Sequence, residues 1–213
     1  MTKSNQELLD EVVNDIKKSL KCELKDAATN LVFGKGNPNA QILFIGEAPG
    51  EKEDLIGIPF VGSAGKILDK QLNKIGLSID DVYIANILKY RPPLNRDPTI
   101  DEMKLHTPYL VKQIEIIKPK IICTLGNFST NNILANTNID EMKKIPGVSE
   151  LHGQIKEVDF KGLKIKIFPI YHPTATVYRN AVKQAFEEDF IKLGKELFGY
   201  NFKPKIEHQK TLF

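Results

Sequence analysis

Short apolar segments alternate with longer amphipathic segments along the chain. Residues 42–45 form a continuous apolar run, and residues 82–88 and 121–125 are apolar apart from Asn86 and Thr124. Such runs are typical of strands buried on both faces of a parallel sheet. Residues 163–167 alternate between apolar residues and lysine, so a β-hairpin is predicted within residues 139–170. We therefore predict a central, mainly parallel sheet of about four strands.

Between these strands, apolar residues recur at helical spacing. Ser4 with Glu7, and Thr99 with Glu102, have the spacing of a capping box at the start of a helix. The predicted helices span residues 4–20, 64–75, 99–117 and 180–197, with a short helix after Gly126. Residues 22–41 are predicted to form a loop. Alternating strands and helices predict an α/β protein, a three-layer α/β/α domain around a four-stranded sheet.

Length and composition are consistent with one domain. The 213 residues are 41% hydrophobic and contain no linker-like stretch, so we expect a single domain over residues 1–200 and a C-terminal tail over 201–213. The formal net charge of +3 gives only a weak electrostatic case for nucleic-acid binding. We expect a monomer.

Targeting signals are absent from the sequence pattern. The first residues lack the order of a signal peptide, and no apolar run approaches membrane-spanning length. We therefore expect an intracellular protein without a membrane partner, either cytoplasmic or associated with the nucleoid. Cys22 and Cys123 lie far apart in sequence, so two free thiols are expected.

An acidic, glycine-containing turn follows the first predicted strand. It begins at Glu47, and a glycine-rich segment starting at Gly62 then opens a helix whose free N–H groups favour a phosphate. The acidic residues alone would suit an ordinary solvated loop. A nucleotide-binding P-loop is excluded because Phe60 occupies the position of its first glycine.

Five motifs occur in one order along the chain: GEAPGEKED from Gly46, IPFVGSAGK from Ile58, YIANILKYRPPLNR from Tyr83, IICTLG from Ile121 and YHP from Tyr171. Together they resemble the family 4 uracil-DNA glycosylases over roughly residues 19–200. The resemblance implies the uracil-DNA glycosylase fold. It also implies an enzyme of base excision repair that flips uracil out of DNA and hydrolyses its N-glycosidic bond.

The resemblance also assigns roles to residues at the turns. Glu47 and His172 would be catalytic, with Glu47 supporting the sugar cation or orienting water and His172 donating to uracil O2. The expected uracil-binding residues are Ala48, Glu53, Phe60 and Asn86. Without the resemblance, a polar residue such as Asn86 in an apolar strand either bonds to the neighbouring backbone or faces a ligand.

The expected DNA contacts follow these turns. The residues are Ser63, Lys89, Arg91, Val177, Tyr178 and Arg179. Lys89, Arg91 and the nearby Arg96 form a basic loop and are interpreted as phosphate contacts beside the pocket, although solvated surface charge explains them nearly as well. Val177 or Tyr178 would be the wedge that enters the base stack while Arg179 meets a phosphate.

The family's cluster-ligand positions depart from the family pattern. The resemblance places its four iron–sulfur cysteines at Ser19, Cys22, Tyr90 and His106, so one thiol remains and no cluster or metal is expected. The last five residues, from Gln209 to Phe213, resemble the start of a sliding-clamp binding motif that ends before its final aromatics. Two alternative functions remain: a non-catalytic damage-sensing module, and a glycosylase for another deaminated base.

Overall fold

The structure, a computed structural model, describes residues 2–205. The α-helices in that range are Asn5–Ser19 (α1), Glu23–Ala27 (α2), Glu51–Ile56 (α3), Ser63–Lys74 (α4), Ile100–Ile117 (α5), Asn127–Leu134 (α6), Val148–Leu151 (α7) and Asn180–Phe198 (α8). The strands are Gly34–Gly36 (β1), Ile42–Gly46 (β2), Val82–Asn86 (β3), Ile121–Leu125 (β4), Lys156–Phe160 (β5) and Leu163–Ile170 (β6). Three 3₁₀ segments are Pro93–Asn95, Ile139–Lys144 and Pro173–Val177.

All six strands join in one sheet with the order β1-β3-β2-β4-β6-β5. The four central strands, β3, β2, β4 and β6, are mutually parallel. Each edge strand runs antiparallel to its neighbour, β1 to β3 and β5 to β6. The sheet is therefore mixed, and its parallel centre directs four strand ends to one edge.

The prediction of a four-stranded sheet is wrong in strand number, because both edge strands lack an apolar pattern. β1 consists of two glycines around Lys35 and lies in the segment predicted as a loop, which also contains α2. β5 is half exposed along its length. The predicted hairpin is confirmed as the β5–β6 pair, and it supplies the second edge strand.

Helices cover both faces of the sheet because strand side chains alternate between them. Leu43 and Ile45 of β2 belong to a core that α1, α5 and α6 close. Ile42 and Phe44 of the same strand belong to a second core, closed by α4 and α8. Both predicted capping boxes are confirmed, at Ser4 for α1 and at Thr99 and Glu102 for α5.

The parallel register brings the ends of β2 and β3 side by side. Gly46, the last residue of β2, pairs with Asn86, the last residue of β3. Pairing continues for two residues beyond the strands, since the amides of Ile87 and Leu88 donate to the carbonyls of Gly46 and Glu47 at 3.0 Å each. The two turns that follow are therefore held at one edge of the sheet.

Other expectations concern the thiols, membranes and the tail. Cys22 and Cys123 are both free, as predicted, and complete burial strongly raises the pKa of the Cys123 thiol. No helix within residues 2–205 has the length and apolar composition needed to cross a membrane. The clamp-like segment from Gln209 to Phe213 lies outside the described residues.

Candidate active site

A cavity of about 520 Å³ opens at the carboxyl edge of the parallel strands. It lies where ligands bind in open α/β sheets, beside the turns that follow the strands. The predicted site residues that line it are Glu47, Ala48, Glu53, Phe60, Ser63, Asn86 and His172. The structure thus brings both predicted catalytic residues and all four predicted uracil-binding residues to one cavity.

Asn86 presents an unusual polar group to this cavity. Its residue is only 2% exposed, and its side-chain oxygen Oδ1 has no hydrogen-bond partner among the described residues. Buried polar atoms are nearly always hydrogen-bonded, because an unpaired one loses its contacts with water without replacement. Oδ1 is therefore an acceptor that a ligand in the cavity can satisfy.

Gly46 leaves the space in which Asn86 and Phe60 meet. A Cβ atom added at Gly46 would lie 2.4 Å from Asn86 Oδ1 and 2.7 Å from Phe60 Cζ. Both distances are far below van der Waals contact, and neither side chain sits at the end of a flexible stem. The last residue of β2 must therefore be glycine, because any side chain there would collide with Asn86 and Phe60 at the cavity floor.

The backbone at Phe60 is held from several sides. Phe60 has a left-handed φ of 52°, which is uncommon for a bulky residue and needs support from its surroundings. Lys35 Nζ donates to the Phe60 carbonyl at 3.0 Å. Glu53 Oε1 accepts from the amides of Val61 at 2.9 Å and Gly62 at 2.7 Å. These bonds fix the Phe60 ring at the cavity wall.

Glu53 therefore has a structural task besides its place in the cavity lining. Its carboxylate takes up two backbone N–H groups just before α4, where the sequence suggested a phosphate. Ser63, the first residue of α4, remains exposed at the cavity rim. Ser63 is therefore the residue of the proposed anion-binding segment that stays exposed at the start of α4.

His172 faces Phe60 across the cavity, with ring centroids 6.2 Å apart. Its Nδ1 accepts from the Thr174 amide at 3.4 Å and lies 2.8 Å from Thr174 Oγ1. Burial lowers the pKa of His172 to about 4, although nearby Glu53 acts in the opposite direction. The ring is therefore neutral at pH 7, and with Nδ1 accepting from an amide, its proton resides on Nε2.

The pKa of Glu47 is shifted in the opposite direction. Burial, and secondarily the charge of Asp97, raises the pKa of Glu47 to about 7. A carboxyl with this pKa exists in both protonation states near neutral pH, which is typical of groups that act in chemistry. The cavity thus combines a neutral N–H donor, a carboxyl that titrates near neutral pH, an unpaired amide oxygen and an aromatic face.

Sequence similarity to known proteins identifies the family of this chain. The chain matches the family model described as "Uracil DNA glycosylase superfamily" over residues 33–194. The chain belongs to the uracil DNA glycosylase superfamily. It is 45% identical to the type-4 uracil-DNA glycosylase of Archaeoglobus fulgidus, over 97% of this chain and 98% of that protein.

Two further relatives carry the same name. The type-4 uracil-DNA glycosylase of Saccharolobus solfataricus is 45% identical, over 89% of this chain and 86% of its own. That of Thermotoga maritima is 39% identical, over 89% and 94% respectively. The similarity to named relatives of this superfamily therefore extends over nearly the whole chain.

The side chain of Lys89 does not lie on the surface where a DNA contact was predicted. The expectation that it contacts DNA phosphates is wrong, because its side chain is fully buried. Its Nζ donates to the Asn86 carbonyl at 2.6 Å and to Gln113 Oε1 at 2.5 Å, and lies 5.7 Å from the centre of the Phe33 ring. Lys89 therefore braces the backbone of Asn86 from behind the cavity.

The remaining predicted DNA contacts do reach the surface. Arg91 is partly exposed and donates through Nε to Asn95 Oδ1 at 2.8 Å. Val177 and Tyr178 are 61% and 86% exposed. Arg179, directly before α8, is exposed as well. None of these four residues lines the cavity described here.

The four positions that the family 4 resemblance assigns to cluster ligands are Ser19, Cys22, Tyr90 and His106. Cys22 Sγ lies 3.5 Å from His106 Nε2, and His106 Nδ1 accepts from the Lys89 amide at 3.0 Å. Tyr90 packs edge-on against His106, with centroids 6.1 Å apart, while Ser19 is exposed on α1.

This donor set does not fit a four-iron cluster. It supplies one thiol, whereas such clusters are held by thiolates. Burial raises the pKa of the Cys22 thiol and lowers the pKa of His106 to about 4, with Lys89 adding to the latter. No group of three or more potential metal-ligating side chains occurs within residues 2–205.

Several site residues were not identified from the sequence. Thr174 sets the tautomer of His172, and Lys35 holds the Phe60 carbonyl from a segment predicted as a loop. Asn95 lines the cavity as well. Its neighbour Arg96, which the sequence analysis placed in the basic loop with Lys89 and Arg91, also lines the cavity and is bound to Glu102 at 2.8 Å. Thr174 had a local signal, since a hydroxyl two residues after a histidine can bond to its ring. Lys35 had none.

Burial makes Lys89 a measurable contributor to the pH dependence of stability. Burial lowers the pKa of Lys89 to about 7, so between pH 7 and about 10.5 the unfolded chain binds a proton that the folded chain does not. The free energy of unfolding therefore gains a positive slope of up to about 1.4 kcal/mol per pH unit in that range. In urea unfolding at pH 7, 8 and 9, we expect Lys89→Met to remove this slope.

The matched control is Lys112→Met. Lys112 pairs with Asp15 on the surface of α5, the helix that carries Gln113. Lys112→Met should keep the wild-type slope of the unfolding free energy against pH. Titration of thiols and tyrosines contributes equally to the proteins compared, so it cancels in each comparison. Identical slopes for wild type and Lys89→Met would contradict the burial of an uncharged amine.

Proposed function

We propose that this chain is a uracil-DNA glycosylase of base excision repair that flips uracil from DNA and leaves an abasic site. The observation that carries the proposal is the unpaired, buried Oδ1 of Asn86 at the floor of the cavity. Type-4 uracil-DNA glycosylases aligned over nearly the full chain support the same activity. A base paired within the duplex cannot contact the buried Asn86 side chain, so the nucleotide must leave the stack.

Asn86 and Phe60 recognise the base. Uracil presents the N3–H donor and the O4 acceptor side by side, and a side-chain amide offers the matching acceptor and donor. Cytosine lacks the N3–H and would leave Oδ1 unpaired. The Phe60 ring stacks on the base face, and the backbone amide near Ala48 holds a further edge.

His172 and Glu47 carry the chemistry. Breaking the N-glycosidic bond leaves negative charge on uracil and positive charge on the sugar. The neutral His172 donates its Nε2 proton in a hydrogen bond to uracil O2 as the negative charge develops. Ionised Glu47 supports the sugar cation or orients the attacking water. Glu53 crowds the C5 position, where the methyl group of thymine would clash.

Surface residues around the rim hold the DNA. Ser63 at the start of α4, Arg91 and Arg179 meet phosphates, which fix the register of the duplex without reading its sequence. Val177 or Tyr178 enters the stack beside the flipped nucleotide. The substrate is uracil-containing DNA, and the protein acts as a monomer.

Excision assays test this function directly. We expect single-turnover cleavage of a uracil-containing single strand and of U·A and U·G duplexes, and no cleavage of T·G or hypoxanthine duplexes. In the same assay, Asn86→Asp should lose the preference for uracil over cytosine, because a carboxylate cannot donate to O4 but can accept from the cytosine amino group.

Asn136→Asp is the charge-matched control, since Asn136 is exposed and lies outside the cavity lining. It should retain the wild-type preference. Unchanged discrimination in Asn86→Asp would remove Asn86 from base recognition. Binding of DNA without excision of any base would instead favour a damage-sensing module, and excision of hypoxanthine a glycosylase for another deaminated base.

The pH dependence of excision should report Glu47. Because both of its roles need the carboxylate, the single-turnover rate should rise with pH up to about 7 and then stay level. His172 is already neutral above about pH 5 and adds no second limb. Glu47→Gln should lower the rate and abolish the rising limb. A rate that falls as pH rises through 7 would show that Glu47 acts protonated.

We further propose that the chain functions without an iron–sulfur cluster, since Cys22 supplies the one thiol at the four ligand positions. Protein purified anaerobically should contain less than one tenth of an iron per chain and lack visible absorption, yet excise uracil. Cys22→Ser should match the wild type in excision. A brown, iron-containing preparation that bleaches in Cys22→Ser would contradict the proposal.

A further inference from the structure

The segment Pro93–Asn95 carries the most exposed large apolar side chain that the structure describes. Leu94 is 95% exposed at the tip of a turn between β3 and α5. Its neighbours Pro92, Asn95 and Arg96 line the cavity proposed for uracil. Leu94 therefore projects from the rim of the site into solvent.

The backbone conformation of Leu94 is unfavourable, and so is the exposure of its apolar side chain. Its φ of 56° and ψ of 20° lie in the left-handed region, where the Cβ of a non-glycine residue crowds the backbone. Asn95 follows with a φ of 54°, a conformation that asparagine tolerates better than leucine. A strained conformation combined with an exposed apolar side chain suggests a functional site, because neither feature stabilises the fold.

This turn is nevertheless rigid. Pro92 and Pro93 restrict φ on one side, and the Asn95 amide donates to the Pro92 carbonyl at 3.1 Å. On the other side, Arg91 bonds to Asn95 at 2.8 Å and Arg96 is anchored to α5 through Glu102. Leu94 is thus presented in one position, and its ordering cost on binding is small.

The order of strands in the sheet places two further exposed residues, Val177 and Tyr178, on the far side of the cavity. The Leu94 turn follows β3, whereas Val177 and Tyr178 follow β6, and β2 and β4 lie between those two strands. Both turns are at the carboxyl edge because the four strands are parallel. A duplex lying over the cavity therefore meets apolar side chains from two sides.

We propose that Leu94 is a second wedge, which inserts into the base stack of duplex DNA opposite Val177 and Tyr178 and keeps the flipped nucleotide out. The proposal rests on the proposed glycosylase function. A flipped base leaves an apolar gap between stacked neighbours, and an apolar side chain that fills it opposes the return of the base. A single strand has no complementary stack to open, so Leu94 should matter for duplexes alone.

The test is Leu94→Asn, because asparagine tolerates the left-handed backbone but is not apolar. In single-turnover assays, we expect excision from a U·A duplex to fall by about tenfold or more, and excision from a uracil-containing single strand to change by less than about twofold. Leu94→Met should restore most of the duplex rate. Fluorescence of 2-aminopurine placed beside uracil should show less unstacking with Leu94→Asn.

Tyr200→Asn is the matched control. Tyr200 is 88% exposed, lies beyond the end of α8 and is absent from the cavity lining. Both excision rates should stay at the wild-type level. Equal rates of Leu94→Asn and wild type on duplexes would overturn the wedge, as would an equal loss on both substrates, which would indicate damage to the cavity. Wild-type protein that excises nothing would refute the glycosylase function itself.

Discussion

The close approach of two parallel strands at their carboxyl ends is the constraint on which the site depends. β2 and β3 pair in a register that sets Gly46 beside Asn86, and no side chain fits between Gly46, Asn86 and Phe60. A shift of this register by one residue would turn Asn86 to the other face of the sheet. The position of Asn86, the proposed base contact, is thus fixed by the pairing of the sheet centre.

Buried ionisable groups behind the cavity hold this arrangement in place. Lys89 binds the Asn86 carbonyl and Gln113 in a fully buried position. Asp189, also fully buried, lies 2.8 Å from His152 Nδ1, and the His152 ring packs on Tyr171 with centroids 4.6 Å apart. Tyr171 directly precedes His172. The backbone of Asn86 and the residue directly before His172 are therefore each supported by a buried polar group with defined partners.

Burial also sets the two protonation states that the chemistry needs. Desolvation lowers the pKa of His172 and raises that of Glu47, so both side chains favour their neutral forms in the same cavity. A neutral histidine can donate a hydrogen bond to the developing uracil anion without transferring its proton to that anion. A carboxyl with a pKa of about 7 still supplies enough carboxylate at neutral pH to support a sugar cation.

Much of the architecture could be predicted from the sequence because it depends on local pattern. Apolar runs identified three of the four parallel strands, an alternating pattern identified β6, and the capping boxes of α1 and α5 occur as expected. The turns after those strands carry the residues that line the cavity. Membership of the uracil DNA glycosylase superfamily agrees with the motifs of those turns.

The edge strands and the fate of individual polar side chains were decided by the tertiary structure. β1 forms from glycines around Lys35, because the open edge of β3 offers it backbone hydrogen bonds. Lys89 looks like a surface charge in sequence, yet its partners include Phe33 and Gln113, which approach it only in the folded chain. Local periodicity determines which residues form an element, whereas burial and hydrogen-bond partners depend on segments distant in sequence that packing brings together.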